Sequence, residues 1–295
     1  MSDIKINNIT DRSGSSGPII AGVSTVTSTS HMVMPSGPTE FRGGRGRGIV
    51  AGGRNNPSPA VAELTIDMHE IATTGNAVDF GDLATGNTGV NGGNSSTTRA
   101  VLAGGYEDPA LTSRLQFVIM SSSGGAVNFG NLVNGVNGGI GCGSNNIRGI
   151  FYGGNNPEYV PFLSHINLQS LGTDSDFGST LVAQRNAACA QSGTRAVFAG
   201  GDASTGNLFT IQSIEFATLG TPIPFGELTD DRTGHTAVSS GTRGVFAGGK
   251  APGVVDTMEY ITIATEGNGT DFGDLTEARR CANAGGSDAH GGLVR

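Results

Sequence analysis

The sequence predicts an all-β fold built from five repeated units, and the first support for this prediction is its glycine content. Glycine makes up 50 of the 295 residues, more than twice the usual share of ~7%. No Gly-X-Y period is present, so a collagen helix is excluded. The apolar residues come in short β-branched runs between glycine-rich stretches, which is typical of short strands joined by tight turns.

Two landmarks recur along the chain with the same period. A double glycine follows a short apolar strand five times, and the copies end at Gly53, Gly105, Gly154, Gly201 and Gly249. A Phe-Gly pair recurs as well, with its aromatic residue at Phe80, Phe129, Phe177, Phe225 and Phe272. A period of about 48 residues is the length of a four-stranded propeller blade. We therefore expect a five-bladed β-propeller over residues 47–295, with the repeated Phe packed inside each blade.

The unit from Arg232 to Leu275 shows the four strands of a blade most clearly. We expect them at about 234–239, 244–247, 256–264 and 271–275, separated by glycine-rich turns. The repeat begins at a second strand near residue 47, and residues 279–295 match a lone first strand. We therefore expect the C-terminal strand to complete blade one and close the ring, which removes two open sheet edges.

Two motifs in this unit carry a family resemblance. Arg232-Thr-Gly-His-Thr-Ala-Val-Ser-Ser, followed by Arg243-Gly-Val-Phe-Ala-Gly-Gly249, resembles the first two strands and the double glycine of the kelch family. The resemblance covers roughly residues 47 to 290 and implies a kelch-like propeller. The kelch tryptophan is absent, since the chain has no Trp, and the repeated Phe is expected to fill that role.

Residues 1–46 lie outside the repeat and form an extended N-terminal segment. Their apolar side chains would be costly to leave in water: Ile19, Ile20, Val23, Val26, Met32, Val33 and Met34. This content is too small for a separate core, and an extended β-branched segment gains hydrogen bonds by adding to a neighbouring sheet edge. We therefore expect residues 1–46 to anchor the protein to a partner.

The leader and the blades also resemble proteins of one kind of particle. With the motifs Thr-Arg-Ala-Val-Phe-Ala-Gly-Gly and Asp-Phe-Gly-Asp-Leu-Thr, they are similar to structural proteins of marine tailed bacteriophages, especially cyanophages. The resemblance implies a virion structural protein, such as a tail or capsid accessory protein. Its expected partners are other virion proteins, bound through residues 1–46, and further copies of the chain within the particle are left open.

Charge and hydropathy exclude several classes of partner. The net charge of −8 argues against nucleic acid, because phosphate binding needs a basic face. No apolar run approaches the ~20 residues of a membrane span, so membrane insertion is not expected. The first residues lack the apolar stretch of a signal peptide. The protein is thus expected to be made in the host cytoplasm and to reside in the virion.

The most regular charged feature is an arginine five residues before each double glycine: Arg47, Arg99, Arg148, Arg195 and Arg243. Five arginines on one rim could bind an anionic sugar or a carboxylate-bearing partner. The alternative is that each arginine pairs with an acidic or backbone group of the neighbouring blade. We favour the alternative, because a residue present in all blades usually serves the repeat.

The remaining motifs predict structure rather than chemistry. Asp-Phe-Gly at 79–81, 176–178 and 271–273 matches a kinase triplet, but its blade spacing favours a turn with a packed Phe and a capping Asp. The five histidines lack metal-ligand spacing. Cys142 and Cys189 share a repeat column and are expected to be small buried hydrophobes. We expect no catalytic residue, no metal and no cofactor, so the protein is interpreted as non-enzymatic.

A second function from another class stays open, namely a receptor- or glycan-binding module of a tail fibre or capsid decoration. The loops at 55–60, 106–112 and 155–161 follow the double glycines and differ in every blade. A glycan reader exposes aromatic rings that stack on sugar, and these loops offer only Tyr106 and Tyr159 as contacts. This poor supply of aromatics favours the virion structural role.

Overall fold

The computed structural model is an all-β structure. It describes residues 19–20, 24–25, 47–52, 63–70, 75–85, 92–107, 110–133, 139–218 and 220–280. These residues contain no helix, and their longer strands form five antiparallel sheets in chain order. The predicted five-bladed β-propeller is confirmed. The C-terminal strand expected to close blade one was placed in residues 279–295, of which 281–295 lie outside the described residues.

Each of these five sheets is one blade, with its longer strands in sequence order from the centre of the ring outward. A small sheet of β1 (Ile19–Ile20) and β2 (Ser24–Thr25) precedes the blades. The described strands of blade one are β3 (Arg47–Ala51), β4 (Thr65–Glu70) and β5 (Val78–Asp82). Blade two has β6 (Gly92–Ser95), β7 (Arg99–Glu107), β8 (Ala110–Ile119) and β9 (Val127–Asn131), and blade three has β10 (Gly141–Ser144), β11 (Arg148–Tyr152), β12 (Phe162–Asn167) and β13 (Ser175–Ser179).

Blades four and five each carry an added hairpin between their second and third strands. Blade four has β14 (Ala188–Gln191), β15 (Arg195–Ala199), the hairpin β16 (Asp202–Ala203) and β17 (Gly206–Asn207), β18 (Thr210–Glu215) and β19 (Ile223–Glu227). Blade five has β20 (Thr236–Ser239), β21 (Arg243–Ala247), the hairpin β22 (Lys250–Ala251) and β23 (Gly253–Val254), β24 (Thr257–Thr262) and β25 (Thr270–Asp274). The four strands predicted for this unit agree with those observed to within about two residues, the usual uncertainty of strand ends.

A β-bulge explains why Phe recurs in the outer strand of every blade. In blade three, Leu163 pairs with Gly178 and Ser164 pairs with Asp176, so Phe177 is the extra residue. The other four blades shift register at the same place. A bulge re-aims the side chain of its extra residue, and Phe177 is accordingly 2% exposed. The bulge thus turns an aromatic ring from the sheet edge into the core.

The hydrophobic core lies between blades rather than within them. Its four clusters each join the side chains of two consecutive blades. In one cluster, Leu163 and Phe177 of blade three pack against Phe198 and Ile214 of blade four. Each blade therefore depends on its neighbour to bury its apolar face, as in other repeat architectures.

The double glycine is required by the close approach of the next blade. Gly200 and Gly201 have φ angles of 60° and 100°, in the left-handed region that favours glycine. The Gly201 N–H donates to the Arg232 carbonyl of the following connection at 2.8 Å. A Cβ at Gly200 would lie 2.6 Å from that same oxygen. The pairs Gly154 to Gln184 and Gly249 to Arg279 make equivalent hydrogen bonds, each 2.8 Å long.

The innermost strands carry small residues because consecutive blades meet there at short range. A Cβ added at Gly92 of blade two would collide with Cys142 of blade three. A Cβ at Gly143 would likewise meet Cys189 of blade four at 2.6 Å. These contacts place both cysteine side chains against neighbouring strands around the ring axis.

Tyr152 has an unsatisfied polar group in the core, and its removal is expected to stabilise the protein. Its ring stacks on Phe198 with centroids 4.1 Å apart, and its buried hydroxyl has no hydrogen-bond partner. Since an unpaired buried hydroxyl costs about 1–3 kcal/mol, Tyr152→Phe should raise the free energy of unfolding by about 1 kcal/mol in urea titrations. Tyr159→Phe is the matched control and should lower it, because the Tyr159 hydroxyl donates to Asp202. A loss of stability in Tyr152→Phe would contradict this account.

Candidate functional site

The polar groups with the most unusual environments lie at one end of the propeller. Because strands alternate in direction, the connections after second strands and after fourth strands emerge at the same end of the ring. We call this end the loop face and define it by residues 153–161, 180–187, 200–209, 228–235 and 248–256. It contains Tyr159, one of the two aromatic contacts predicted from sequence.

Asp202 lies on the loop face, and its hydrogen bonds connect three blades. Its Oδ1 accepts hydrogen bonds from Asn186 Nδ2 and from Thr233 Oγ1, both at 2.7 Å. Its Oδ2 accepts from Arg185 Nε at 3.0 Å and from the Tyr159 hydroxyl at 2.9 Å. The donors come from the loop of blade three and from the connections that enter blades four and five. The carboxylate therefore acts as a tie between blades, with both oxygens engaged.

The surroundings of Asp202 fix its charge. Burial by itself would raise the pKa of this carboxyl, but hydrogen bonds from Thr233, Asn186, Arg185 and Tyr159 together lower the pKa below its ordinary value. Burial and the hydrogen bond to Asp202 raise the pKa of Tyr159. Asp202 thus stays ionised and Tyr159 stays protonated near neutral pH. The pair is arranged for a fixed hydrogen bond rather than for proton exchange.

Arg185 and Tyr159 also form the one partly exposed aromatic surface at this cluster. The guanidinium carbon of Arg185 lies 5.2 Å from the centroid of the Tyr159 ring, and the Arg185 side chain is 36% exposed. A stacked arginine and tyrosine can contact a planar or anionic group. The loop face also carries Phe209, whose side chain is exposed.

A buried ion pair lies beneath the loop face. Arg232 is fully buried and pairs with Glu259, which is also buried. The Arg232 Nη1 also donates to the Thr257 carbonyl at 3.2 Å, and Glu259 Oε2 accepts from the Thr229 N–H at 2.9 Å. Arg232 belongs to the kelch-like motif predicted from the sequence, but nothing in that motif indicated Glu259 as its partner.

His235 is buried three residues after Arg232. Burial, reinforced by the positive charge of Arg232, lowers the pKa of His235 to about 3. Its ring packs edge-on against Phe246 with centroids 5.9 Å apart. The histidine is therefore neutral at physiological pH and occupies a packing position.

The repeated arginines lie at the opposite end of the ring, and four of the five contact the next blade. Three of them donate through Nη1 to a carbonyl of the neighbouring blade: Arg47 to Met120 at 2.7 Å, Arg99 to Leu168 at 3.0 Å and Arg195 to Ile263 at 3.1 Å. Arg148 makes the same contact with Phe216. Arg243 lies over the ring of Tyr260, 4.5 Å from its centroid. Four of these side chains are thus used between blades, whereas the exposed Arg243 packs on a ring of its own blade.

The Asp-Phe-Gly triplets form turns. In all three, the Asp Oδ1 accepts a hydrogen bond from the Gly N–H two residues later, at 3.0 Å for Asp79, 2.9 Å for Asp176 and 3.0 Å for Asp271. Such Asx turns stabilise the bulge locally. Phe80, Phe129, Phe177 and Phe225 are buried, whereas Phe272 is 47% exposed.

The remaining candidate residues add no reactive cluster. Burial raises the pKa of the Cys142 thiol to about 12, and burial together with Cys142 raises that of Cys189, so both thiols are poor nucleophiles. The described residues hold no group of three His, Cys, Asp or Glu side chains placed to bind a metal ion. Across the same residues, no helix is long and apolar enough to cross a membrane.

The predicted anchor falls almost entirely outside the described residues. Ile19 and Ile20 form the backbone of β1, but their side chains are not described. Outside the described residues lie Val23, Val26, Met32, Val33 and Met34, as well as the loop at 55–60. Tyr106 is placed in β7 by its backbone alone.

Comparison with known proteins supports the fold. No protein-family model matches the chain, and no curated protein matches it. Among solved structures, that of YjhT is similar, with a TM-score of 0.60 over 78% of this chain and 85% of that chain. The two chains share a fold. At 11% sequence identity the likeness extends to the fold alone and carries no activity across.

Proposed function

We propose that this protein is a non-enzymatic structural component of a tailed-phage virion. In this proposal residues 1–46 dock the chain to other virion proteins, and the kelch-like propeller projects from the particle or bridges its parts. The sequence resemblance of the leader and blades to marine phage structural proteins motivates the assignment. The acidic net charge of −8 fits a partner surface made of protein rather than nucleic acid.

The observation that carries the non-enzymatic part is how the described ring uses its ionisable groups. Asp202 accepts four hydrogen bonds that join three blades, and Arg232 neutralises Glu259 in the interior. Four of the five repeated arginines donate to carbonyls of neighbouring blades. A general acid or base must be able to change its protonation during turnover. Ionisable groups fixed in such contacts serve the structure of the ring. Their use therefore favours a protein that presents binding surfaces to partners.

Loss of residues 1–46 is expected to abolish incorporation while leaving the propeller folded. A chain beginning at Arg47 should keep the all-β circular dichroism spectrum of the full chain, because the repeats begin at β3. Mixed with particles that lack the protein, it should show at least a tenfold lower occupancy by quantitative mass spectrometry. The full chain is the control. Full occupancy of the truncated protein would show that the propeller itself holds the docking surface.

One feature favours the alternative function of a receptor- or glycan-binding module. Arg185 stacked on Tyr159 presents a partly exposed cationic and aromatic surface on the loop face. Binding of purified host-surface polysaccharide to the isolated protein, lost in Tyr159→Ala and kept in Tyr159→Phe, would favour this alternative. Hydrolysis of that polysaccharide, lost on substitution of one carboxylate or histidine, would instead show an enzyme and overturn both.

A further inference from the structure

The hydrogen bonds around Asp202 involve side chains that the repeat does not supply. At the entries to blades three and five, the equivalents of Asn186 are Gly139 and Gly234, with φ angles of 71° and 61°. Asn186 keeps this left-handed conformation at a φ of 57°, the one non-glycine residue to do so in the described part of the chain. Its side chain donates to Asp202 at 2.7 Å. Other blades meet without this side chain, so its presence here indicates a role beyond blade packing.

Arg185 is the side chain that these contacts hold in place. Its backbone N–H donates to the Asp202 carbonyl at 3.0 Å, and its carbonyl accepts from the Asp202 N–H at 2.9 Å. Its Nε donates to Asp202 Oδ2 at 3.0 Å, and its guanidinium carbon lies 5.2 Å from the centroid of the Tyr159 ring. Fixing a free arginine side chain costs up to about 2 kcal/mol of rotamer entropy. Arg185 is therefore ordered before any ligand arrives.

The donors that Arg185 keeps for a ligand are at the far end of its guanidinium. The hydrogen bond to Asp202 uses Nε, which leaves the two Nη groups. The Arg185 side chain is 36% exposed and that of Asp202 is 14% exposed, so the cation faces solvent more than its counter-ion does. The two Nη groups of an arginine match the two oxygens of a carboxylate. This end of Arg185 is thus a preformed contact for a planar anion.

A second cation lies one blade further around the loop face. The backbone of Lys250 pairs with that of Thr233 through hydrogen bonds of 2.9 and 3.2 Å, and Thr233 donates to Asp202 at 2.7 Å. Lys250 is exposed. Its surroundings in the described chain include no carboxylate within ion-pair distance of its ammonium group. A ligand with regularly spaced acidic groups can therefore contact cations of two blades.

The exposed carboxylates of the loop face are not all equally close to this surface. Asp230 and Asp231 are exposed and follow the outer strand β19, so they lie towards the outside of the ring. Arg185, in contrast, precedes the inner strand β14 by three residues. Glu158 is exposed next to Tyr159 in the chain and is the acid expected to oppose an anionic ligand.

We propose that Arg185 binds the carboxylate of an acidic sugar in a surface polysaccharide, with the Tyr159 ring against the sugar and Lys250 on the next acidic unit. Asp202, Asn186 and Thr233 position these groups without touching the ligand. The proposal deepens the alternative glycan-binding function, on which it rests, and is independent of docking through residues 1–46.

A polysaccharide fits this surface better than an acidic peptide does. Tyr159 presents an apolar ring beside the cation, and the C–H face of a pyranose ring is a matching surface for it. A peptide carboxylate on a flexible side chain would use Arg185 but not the ring. The acidic peptide is therefore the competing ligand, and the experiment includes it.

Calorimetric titration of the full chain with three polymers tests the class of ligand. Polygalacturonate should bind at least tenfold more tightly than dextran, which has no carboxylate, and than polyglutamate, which has no sugar. Absence of polygalacturonate binding, or equal binding of polyglutamate, would overturn the proposal. Dextran bound as tightly as polygalacturonate, with the binding lost in Tyr159→Ala, would keep the glycan-binding function but overturn the acidic-sugar site.

Substitutions of arginine test the residue. Arg185→Gln should weaken polygalacturonate binding at least tenfold, and Arg185→Lys at least threefold, because lysine keeps the charge but loses the planar pair of donors. Arg243→Gln is the matched control, since Arg243 is also exposed and lies 4.5 Å from a tyrosine centroid, but at the opposite end of the ring. It should leave the affinity within twofold.

Two further variants complete the test. Lys250→Gln should weaken binding about threefold, and Glu158→Gln should strengthen it about twofold. Urea midpoints show which variants remain folded, and Arg185→Lys and Lys250→Gln serve if Arg185→Gln does not fold. An equal loss in Arg185→Gln and Arg243→Gln, or full affinity in Arg185→Lys, would indicate general attraction between charges and overturn the proposal.

Discussion

Arg232→Met is expected to lower the free energy of unfolding by about 3–5 kcal/mol, the usual cost of leaving one partner of a buried ion pair alone. Arg232 and Glu259 are both buried, so Glu259 would keep its desolvation cost and lose its cation. Urea titration with two-state analysis measures the change. The loss should appear as a lower midpoint with an unchanged slope.

Two control variants separate the effect of breaking the buried ion pair from the general effect of a substitution. Glu215→Gln removes a pair with Arg195 that is partly exposed, and it should cost at most about 1 kcal/mol. The double variant Arg232→Gln with Glu259→Gln should recover much of the lost stability, because blade four already uses buried Gln184 and Gln212 at the equivalent positions. If Arg232→Met lowers the free energy of unfolding by less than about 1 kcal/mol, the expectation is wrong. Such a result would show that Glu259 becomes hydrated or protonated in the interior at little cost.

Acidification is expected to destabilise the protein through His235. The pKa of His235 is lowered to about 3 in the folded state by burial and by Arg232, whereas an unfolded histidine titrates near 6.5. Between these values the unfolded chain binds a proton that the native chain does not, so stability falls as the pH drops below about 6.5. The loss levels off below about pH 3. At pH 4.5 it should reach about 2–3 kcal/mol relative to pH 7.

Substitution of His235 isolates this contribution. His235→Ala copies Ala187, which precedes the inner strand of blade four as His235 precedes that of blade five. The variant should be less stable at pH 7 because of the cavity, but its stability should fall less between pH 7 and 4.5. His69→Gln, at an exposed position, should keep the full acid loss. Urea titrations at several pH values provide the measurement. Parallel acid profiles for His235→Ala and the unchanged protein would rule out this histidine as the source.

The repeat made the fold predictable from sequence, because five copies constrain one another. The double glycines marked the ends of second strands, and the Phe-Gly pairs marked a repeated position in the outer strands, where the structure shows bulges that the sequence did not predict. The predicted turn with a capping Asp matches the hydrogen bonds of Asp79, Asp176 and Asp271. The repeat gave no information on the position of the predicted anchor residues, which belong to no repeated unit.

The Asp202 cluster escaped prediction for the opposite reason. The residue after each double glycine differs from blade to blade, with Tyr106, Asn155, Asp202 and Lys250 in blades two to five. A column that varies gives no periodic signal, and the donors to Asp202 come from separate connections. The available clue was the charge of Asp202 directly after a double glycine, since the next blade approaches most closely there.

The bulged outer strands have a consequence for behaviour at high concentration. Every blade ends in an edge strand, and an open edge is a template for unwanted strand pairing. In blades one, three and five the Asp that caps the bulge places a carboxylate on this edge and engages the following glycine N–H. The irregular backbone cannot match a straight incoming strand over more than a few residues. At high concentration, many copies can therefore lie side by side without pairing their edge strands into a continuous sheet.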